Sequence, residues 1–254
     1  MLESEVFDFL NQKAEEYNHP DFILLDPISI PHQFSLKQDI EISAFFASTI
    51  AWGNRKSIVS SAEKIIKFMG NSPFDFVLNA QEKDLEKIVS KAVHRTFSGE
   101  DFKQFIFNLQ RVYQNQQSME DLFLLNKGEE NFYHAIERFR SSFLGEMTHR
   151  CHKHVSSTYK NSASKRLMMF LRWMVRKDKK GVDFGIWQKL PPQYLSIPLD
   201  VHTANISRKL GILQRKQNDW KAVEELDAVI RKYNAKDPAI YDYALFGLGV
   251  SKEF

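Results

Sequence analysis

Asp200 is the residue of this chain whose type and position point most directly to chemistry. It follows Pro198-Leu199 and precedes Val201-His202-Thr203, so it occupies the N-cap position of a predicted helix. Free backbone N–H groups and the helix dipole favour the ionised form of a carboxylate there. Such a fixed anion either caps the helix and does nothing more, or it stabilises positive charge that develops on a substrate.

Lys165 is the second candidate, and it lies 35 residues earlier in the first turn of another predicted helix. The positive end of the helix dipole disfavours an ammonium group at that position. A neutral lysine amine is a nucleophile that can attack an electrophilic carbon and form a Schiff base. A plain surface lysine on a basic helix is the alternative interpretation, and it stays open at this point.

Positive charge is concentrated around Lys165. The whole chain carries a net charge of +3, but the segment from His149 to Val182 holds ten Lys and Arg residues against one acid, Asp178. This asymmetry predicts a surface for a polyanion such as DNA, and the alternative is a solvated, lysine-rich helix face. The expected phosphate contacts are Lys160, Ser162, Ser164, Arg166, Arg172, Arg176 and Lys177.

The composition indicates the fold class that must position these residues. Among 254 residues there are only 10 Gly and 8 Pro, too few for the frequent turns of an all-β fold, whereas Phe occurs 21 times. The single cysteine, Cys151, excludes an intrachain disulfide and is consistent with a reducing cytosol. We therefore expect a cytoplasmic, all-α protein of about ten helices in one domain spanning residues 1–254, with no membrane span.

Apolar periodicity and helix start and stop signals place most of the chain in helices. The segment 19–34 contains three prolines and is expected to be irregular. The predicted helices cover residues 3–17, 39–52, 56–69, 73–79, 81–92, 101–114, 119–125, 130–144, 165–176, 201–210, 219–233 and 238–246.

The segment around Asp200 resembles a known family. The tripeptide Asp-Val-His at 200–202, followed by Ile206, Arg208 and Gly211, is similar to the catalytic-aspartate helix of helix-hairpin-helix DNA glycosylases. The similarity is closest to the archaeal-type 8-oxoguanine branch. That superfamily carries a lysine at the start of the preceding helix, and Lys165 stands at the matching place.

Two further segments resemble the same family in the same order. Residues 39–69, joined at Trp52-Gly53-Asn54-Arg55, are similar to its opening helix pair, and residues 239–249 are similar to its last helix. The resemblance covers residues 39–249, which leaves an N-terminal helix and a proline-punctuated segment in residues 1–38. The whole chain also resembles a bacterial family of unknown function.

The resemblance implies two interwoven helical subdomains with a cleft and a monomeric protein at the bacterial nucleoid. The implied activity is base-excision repair of duplex DNA with a damaged base, by a glycosylase with or without AP-lyase activity. Lys165 and Asp200 would be the catalytic residues, acting without a cofactor. An extruded base needs aromatic walls and polar contacts. The expected substrate contacts are Trp52, Asn54, Trp173 and His202, although core packing is the alternative for each tryptophan and helix capping for the histidine.

Two departures keep a second interpretation open. The segment 155–164 before Lys165 contains no glycine, whereas the family's hairpin is glycine-rich, and Trp52-Gly53 stands where many members carry a glutamine pair. A non-catalytic nucleic-acid-binding protein that retains the fold is therefore the alternative. His149, His152 and His154 flank Cys151, but neighbouring cations would repel a metal ion, so we expect no metal site.

Overall fold

The computed structural model describes residues 2–146 and 149–251, and it confirms the predicted all-α fold. In this part the chain forms eleven α-helices and one two-stranded antiparallel hairpin, β1 (Ala92–His94) and β2 (Phe97–Ser98). The helices are α1 (Glu3–Tyr17), α2 (Lys37–Thr49), α3 (Arg55–Phe68), α4 (Pro73–Asn79), α5 (Glu82–Val89), α6 (Gly99–Asn115), α7 (Tyr133–Leu144), α8 (Lys165–Val175), α9 (Val201–Lys209), α10 (Trp220–Tyr233) and α11 (Tyr241–Ser251). No helix of the described part is long and apolar enough to cross a membrane.

The chain divides into two compact units whose segments alternate along the sequence. The first unit comprises the residues up to 22, residues 125–134 and the residues from 157 onward. The second unit comprises residues 23–124 and 135–156.

The second unit is built around α2, whose sequence is apolar on nearly every side. Phe45 of α2 stacks on Phe105 of α6, with ring centroids 5.7 Å apart, and meets Phe143 of α7 edge-on at 5.2 Å. Glu41 is also buried, where its carboxylate accepts hydrogen bonds from the Tyr113 hydroxyl and the Met119 backbone N–H. These bonds satisfy a charge that would otherwise be costly to bury.

The hairpin replaces the end of a predicted helix. Residues 81–92 were expected to be helical throughout, but α5 ends at Val89 and β1 follows. Ser98 then begins α6 with a capping box, in which its hydroxyl accepts from the Asp101 N–H and the Asp101 side chain accepts from the Ser98 N–H. Gly99 makes this tight return possible, because a Cβ there would lie 1.7 Å from the Ile88 carbonyl oxygen.

The first unit packs α1 and α9 against α11. The ring of Phe7 on α1 stacks on Tyr233 at a centroid distance of 3.9 Å and meets Tyr241 edge-on. Gly247 of α11 lies against the ring of Tyr17, since a Cβ at this glycine would approach that ring to 2.4 Å. Small residues on α11 therefore bring its neighbouring helices close.

Other sequence-based helices differ from the structure mainly at their ends. Residues 119–123 form a 3₁₀ turn rather than an α-helix, and α7 begins at Tyr133 rather than at Glu130. Residues 238–240 form a 3₁₀ turn before α11, which continues to Ser251. The proline-punctuated segment forms three short 3₁₀ turns, as an irregular segment should.

Replacing Gly99 with alanine should lower the free energy of unfolding by about 3 kcal/mol, at the upper end of overpacking substitutions. The added methyl group would meet backbone atoms of Ile88, which cannot move without displacing α5. Urea unfolding measures the change.

Gly128→Ala is the matched control, because no atom lies within 4 Å of a Cβ at this position. The only cost of the added methyl group is the backbone strain of a non-glycine residue at φ +90°. It should lower the free energy of unfolding by about 1 kcal/mol. Equal losses in the two variants would contradict the close packing at Gly99.

Candidate catalytic site

Asp200 caps α9, as its position in the sequence predicts. Its Oδ1 accepts a hydrogen bond of 2.9 Å from the Thr203 backbone N–H, and its backbone carbonyl accepts another of 2.9 Å from Ala204. The bond from the Thr203 N–H holds the carboxylate group in one orientation. The second carboxylate oxygen, Oδ2, faces Lys165.

Lys165 is the first residue of α8, and its amine lies close to that oxygen. The distance from Lys165 Nζ to Asp200 Oδ2 is 3.9 Å, which is an ion-pair distance longer than a direct hydrogen bond. The two side chains keep 29% and 17% of their surface exposed. The structure therefore brings the two expected residues together, and both side chains are partly open to solvent.

The turn before α8 takes a glycine-like conformation without glycine. Asn161 and Ser164 have φ angles of +60° and +47°, the left-handed region that glycine favours. The Asn161 side chain donates a 2.9 Å hydrogen bond to Asp219, and its carbonyl accepts from the Trp220 N–H at 3.1 Å. Contacts with the start of α10 thus hold this turn in place.

Asp242 is a site residue that sequence reasoning missed. It lies in the first turn of α11, it is 5% exposed, and Arg172 donates a hydrogen bond to its carboxylate. Burial raises the pKa of Asp242 to about 6; Arg172 and Lys165 act against this shift, while the charge of Asp200 adds to it. An aspartate inside the apolar sequence 241–248 was the signal that could have identified it.

Arg172 does not present its charge to solvent, so its expected contact with a phosphate is wrong. Its side chain is 3% exposed, and its Nε donates a 3.2 Å hydrogen bond to Asp183 while another nitrogen bonds Asp242. The guanidinium also lies over the ring of Tyr243, 4.5 Å from the centroid. Lys165 and Arg172 lie two turns apart on the same side of α8, and this side is buried beyond the first turn of the helix.

Arg176 follows the same pattern, and its expected phosphate contact is also wrong. It is 2% exposed and forms ion pairs of 3.1 Å with Asp183, 2.9 Å with Asp237 and 2.7 Å with Asp178. Burial opposes its charge, but Asp183 and Asp237 outweigh burial and raise the pKa of Arg176 above its ordinary value. Both arginines neutralise acids inside the first unit.

The other residues expected to contact phosphates differ in how far their side chains are exposed to solvent. Lys160 and Lys177 are exposed, and Ser162 is half-buried. Ser164 is buried, so its expected phosphate contact is wrong; its backbone N–H instead donates to the Ser162 hydroxyl at 3.1 Å. Arg166 is half-buried, and burial lowers its pKa to about 10. Exposed positive charge near the site is therefore smaller than the sequence suggests.

The expected substrate contacts belong to both units. Trp173 of the first unit is fully buried in α8, so the expectation that it lines a pocket is wrong. Trp52 of the second unit is half-buried, with its ring parallel to His154 at 5.8 Å and edge-on to His94 at 5.2 Å. Asn54 is exposed and caps α3, since its side-chain oxygen accepts from the Ser57 N–H at 3.3 Å.

His202 is exposed and lines a groove between α9 and the end of α11. Its Nδ1 lies 3.1 Å from the Gly249 carbonyl oxygen, and the groove has a volume of about 330 Å³. Asn205 and Lys209 line its polar side, and Ile206 lies at its apolar side. His202 lies in the first turn of the helix that Asp200 caps.

Cys151, His152 and His154 lie in a short 3₁₀ helix, Arg150–His154, whose N-cap residue is His149. Cys151 is buried, and burial, followed by the nearby charge of Asp101, raises the pKa of its thiol to about 11. His154 is buried too, with its Nε2 3.2 Å from Asp101 Oδ2. Across the described residues, no three His, Cys, Asp or Glu side chains are grouped to hold a metal ion.

Arg172→Gln should lower the free energy of unfolding by about 3–5 kcal/mol, because it leaves Asp183 and Asp242 buried beside an uncharged side chain. Lys177→Gln, two residues beyond α8, removes an exposed cation and should change stability by less than about 0.5 kcal/mol. Urea unfolding of both variants tests the contrast. A small loss for Arg172→Gln would show that its ion pairs do not hold the first unit together.

Comparisons with known proteins identify a family but not an activity. No curated protein and no solved structure matches the chain. The family model described as "Protein of unknown function (DUF2400)" matches residues 26–251, which includes Lys165, Asp200 and Asp242. Because this match spans most of the sequence, the chain belongs to the DUF2400 family.

Proposed function

We propose that this protein is a base-excision DNA glycosylase that acts on duplex DNA containing an oxidised purine such as 8-oxoguanine. The observation that carries the proposal is the 3.9 Å approach of Lys165 Nζ to Asp200 Oδ2 at the starts of two helices. A fixed carboxylate can stabilise the sugar cation of this reaction, and an amine can supply the nucleophile of the AP-lyase form; both groups are partly exposed here.

Cleavage of the N-glycosidic bond builds positive charge on the sugar. The Asp200 carboxylate, held by the Thr203 N–H, would stabilise that charge in the transition state. The neutral amine of Lys165 would attack the anomeric carbon as the bond to the base breaks, and the base would leave with the bonding electron pair and take up a proton. Ring opening then gives a Schiff base, from which elimination of the 3′ phosphate is the AP-lyase step.

Other features of the described residues support DNA as the substrate. Lys160 and Lys177 expose positive charge before and after α8, where they can contact phosphates.

A non-catalytic nucleic-acid-binding protein is the second candidate. One observation favours it. Asp200 accepts the capping hydrogen bond of α9 and forms an ion pair with Lys165, and both contacts could serve only to stabilise the fold. The two candidates differ in covalent chemistry and not in DNA binding, so a covalent assay separates them.

Borohydride should trap the protein on a duplex that contains a single 8-oxoguanine or abasic site, and Lys165→Gln should abolish trapping because the variant lacks the amine. Lys221→Gln is the matched control, since it removes an exposed lysine from the first turn of α10 in the same unit. This control should trap DNA like the wild-type protein. Denaturing gel electrophoresis measures the covalent complex.

No trapping and no base release across a panel of lesions, with salt-sensitive DNA binding intact, would support the non-catalytic candidate. DNA binding that does not weaken between low and physiological salt would contradict both candidates, because phosphate contacts release counterions.

Asp200→Asn should lower the rate of base release by about 10²–10³-fold while leaving stability within about 1 kcal/mol, since asparagine is an equally good N-cap. Asp26→Asn is the matched control, because Asp26 caps the 3₁₀ turn Pro27–Ser29 in the second unit, where its carboxylate accepts a hydrogen bond from the Ile28 N–H. This control should keep its rate of base release. Equal rates in the two variants would remove Asp200 from the chemistry.

A further inference from the structure

Tyr159 is an aromatic residue that stays exposed although it lies in a closely held part of the first unit. It precedes Lys160 in the turn before α8, and its side chain keeps 60% of its surface exposed. The Tyr159 hydroxyl lies 2.8 Å from Nδ1 of His134, a hydrogen-bond distance. This bond restrains the far end of the ring, so the ring has a defined position without being part of the core.

Two neighbouring rings support Tyr159 without stacking flat upon it. The ring of Tyr133 lies 5.3 Å away at an angle of 42°, and the ring of His134 lies 5.7 Å away at 78°. Tyr133 in turn packs on the buried Trp220 at a centroid distance of 5.1 Å. The ring of Tyr159 is therefore held by aromatic neighbours while more than half of its surface remains accessible to a ligand.

The backbone on both sides of Tyr159 is also fixed by hydrogen bonds. The Thr158 hydroxyl donates to the Tyr133 carbonyl at 2.8 Å, and the Asn161 side chain donates to Asp219 at 2.9 Å. The Asn161 N–H donates to the Thr158 carbonyl at 2.8 Å and closes the turn. An aromatic ring that is already ordered loses little conformational entropy when it binds a ligand.

The chemistry of this turn matches a nucleobase with its phosphate. An accessible aromatic ring binds an unpaired base by stacking, whatever the base, because every base has a π-face. The exposed Lys160 is the next residue, and its ammonium group can contact the phosphate of the same strand. Lys177 and Lys179 expose further positive charge in the first unit, as binding of a polyanion requires.

We propose that Tyr159 and Lys160 form a binding site for an unpaired base and its phosphate in single-stranded DNA. The inference shares only DNA as the ligand with the proposed function, and it does not depend on the chemistry of Lys165 and Asp200. A protein partner fits less well, because Tyr159 is the only exposed large apolar side chain in the described segments 125–134 and 157–164. The core of a protein interface needs several such side chains together.

Fluorescence anisotropy of an oligothymidylate of about ten nucleotides measures the binding. Tyr159→Ala should weaken the binding about 5–150-fold, the range that stacking on one base supplies. Tyr159→Phe keeps the ring and should bind like the wild-type protein. If Tyr159→Ala binds oligothymidylate as tightly as the wild-type protein does, the proposal is overturned.

A strand of the same length made of abasic residues is the control ligand, because it carries the same phosphates without bases. Tyr159→Ala should bind this strand as the wild-type protein does, whereas Lys160→Gln should weaken binding to both strands and reduce the salt slope by about 0.7. Leu2→Ala is the control variant, since Leu2 is a 69% exposed apolar residue of the same unit. Equal losses of Tyr159→Ala on the two strands, or a loss in Leu2→Ala equal to that in Tyr159→Ala, would contradict a stacked base.

The wild-type protein provides a measurement that does not depend on the variants folding. Ultraviolet light cross-links 5-iododeoxyuridine in a single strand to an aromatic side chain that stacks on it, and mass spectrometry identifies the modified peptide. The expected cross-link is on Tyr159. Cross-links confined to other residues would overturn the proposal.

The same measurements separate this inference from the proposed function. If the wild-type protein is trapped on DNA through Lys165 while Tyr159→Ala binds oligothymidylate normally, the stacking site fails and the glycosylase proposal stands. If Tyr159→Ala loses only the base-dependent binding while no lesion traps the wild-type protein, the stacking site stands and the glycosylase proposal fails.

Discussion

A buried guanidinium needs neighbouring carboxylates, because an unpaired buried charge is strongly destabilising. This requirement determines how the segments around α8 pack in the first unit. Arg172 and Arg176 of α8 are both buried, and the acids that neutralise them come from the segment after α8, from the 3₁₀ turn before α11 and from the first turn of α11. The resulting ion pairs fix the rotation of α8 about its axis, because breaking one would leave a buried charge without compensation. That rotation sets where Lys165, at the first residue of α8, directs its amine. At its other end, α11 holds α9 through the contact of Gly249 with His202.

Local rules predicted the ends of the helices that carry the candidate site. Asp200 caps α9 and Lys165 begins α8, as the sequence indicates, because capping depends on neighbouring backbone groups and not on distant contacts. The helical class was equally predictable, since apolar periodicity extends through most of the chain. The pairing of Lys165 with Asp200 came from the family resemblance, because spacing alone does not state that two helix starts meet.

Burial within the site was not predictable from α8 alone. A helical wheel places Lys165, Arg172 and Arg176 on one face, and a basic segment suggests that this face meets solvent. Two of the acids that pair with these arginines, Asp237 and Asp242, lie 61 and 70 residues farther along the chain, so only the folded structure identifies them. The hairpin at residues 92–98 escaped prediction for a different reason, since strands of two and three residues are too short to show alternation.

The role of Lys165 as a nucleophile is tested most directly by locating the covalent bond. Wild-type protein trapped by borohydride on a duplex with an abasic site can be digested with protease and nuclease, and the modified peptide identified by mass spectrometry. The predicted result is a sugar adduct on the side chain of Lys165 at the start of α8. An adduct on the N-terminal amine or on another lysine, or no adduct at all, would contradict the proposed chemistry.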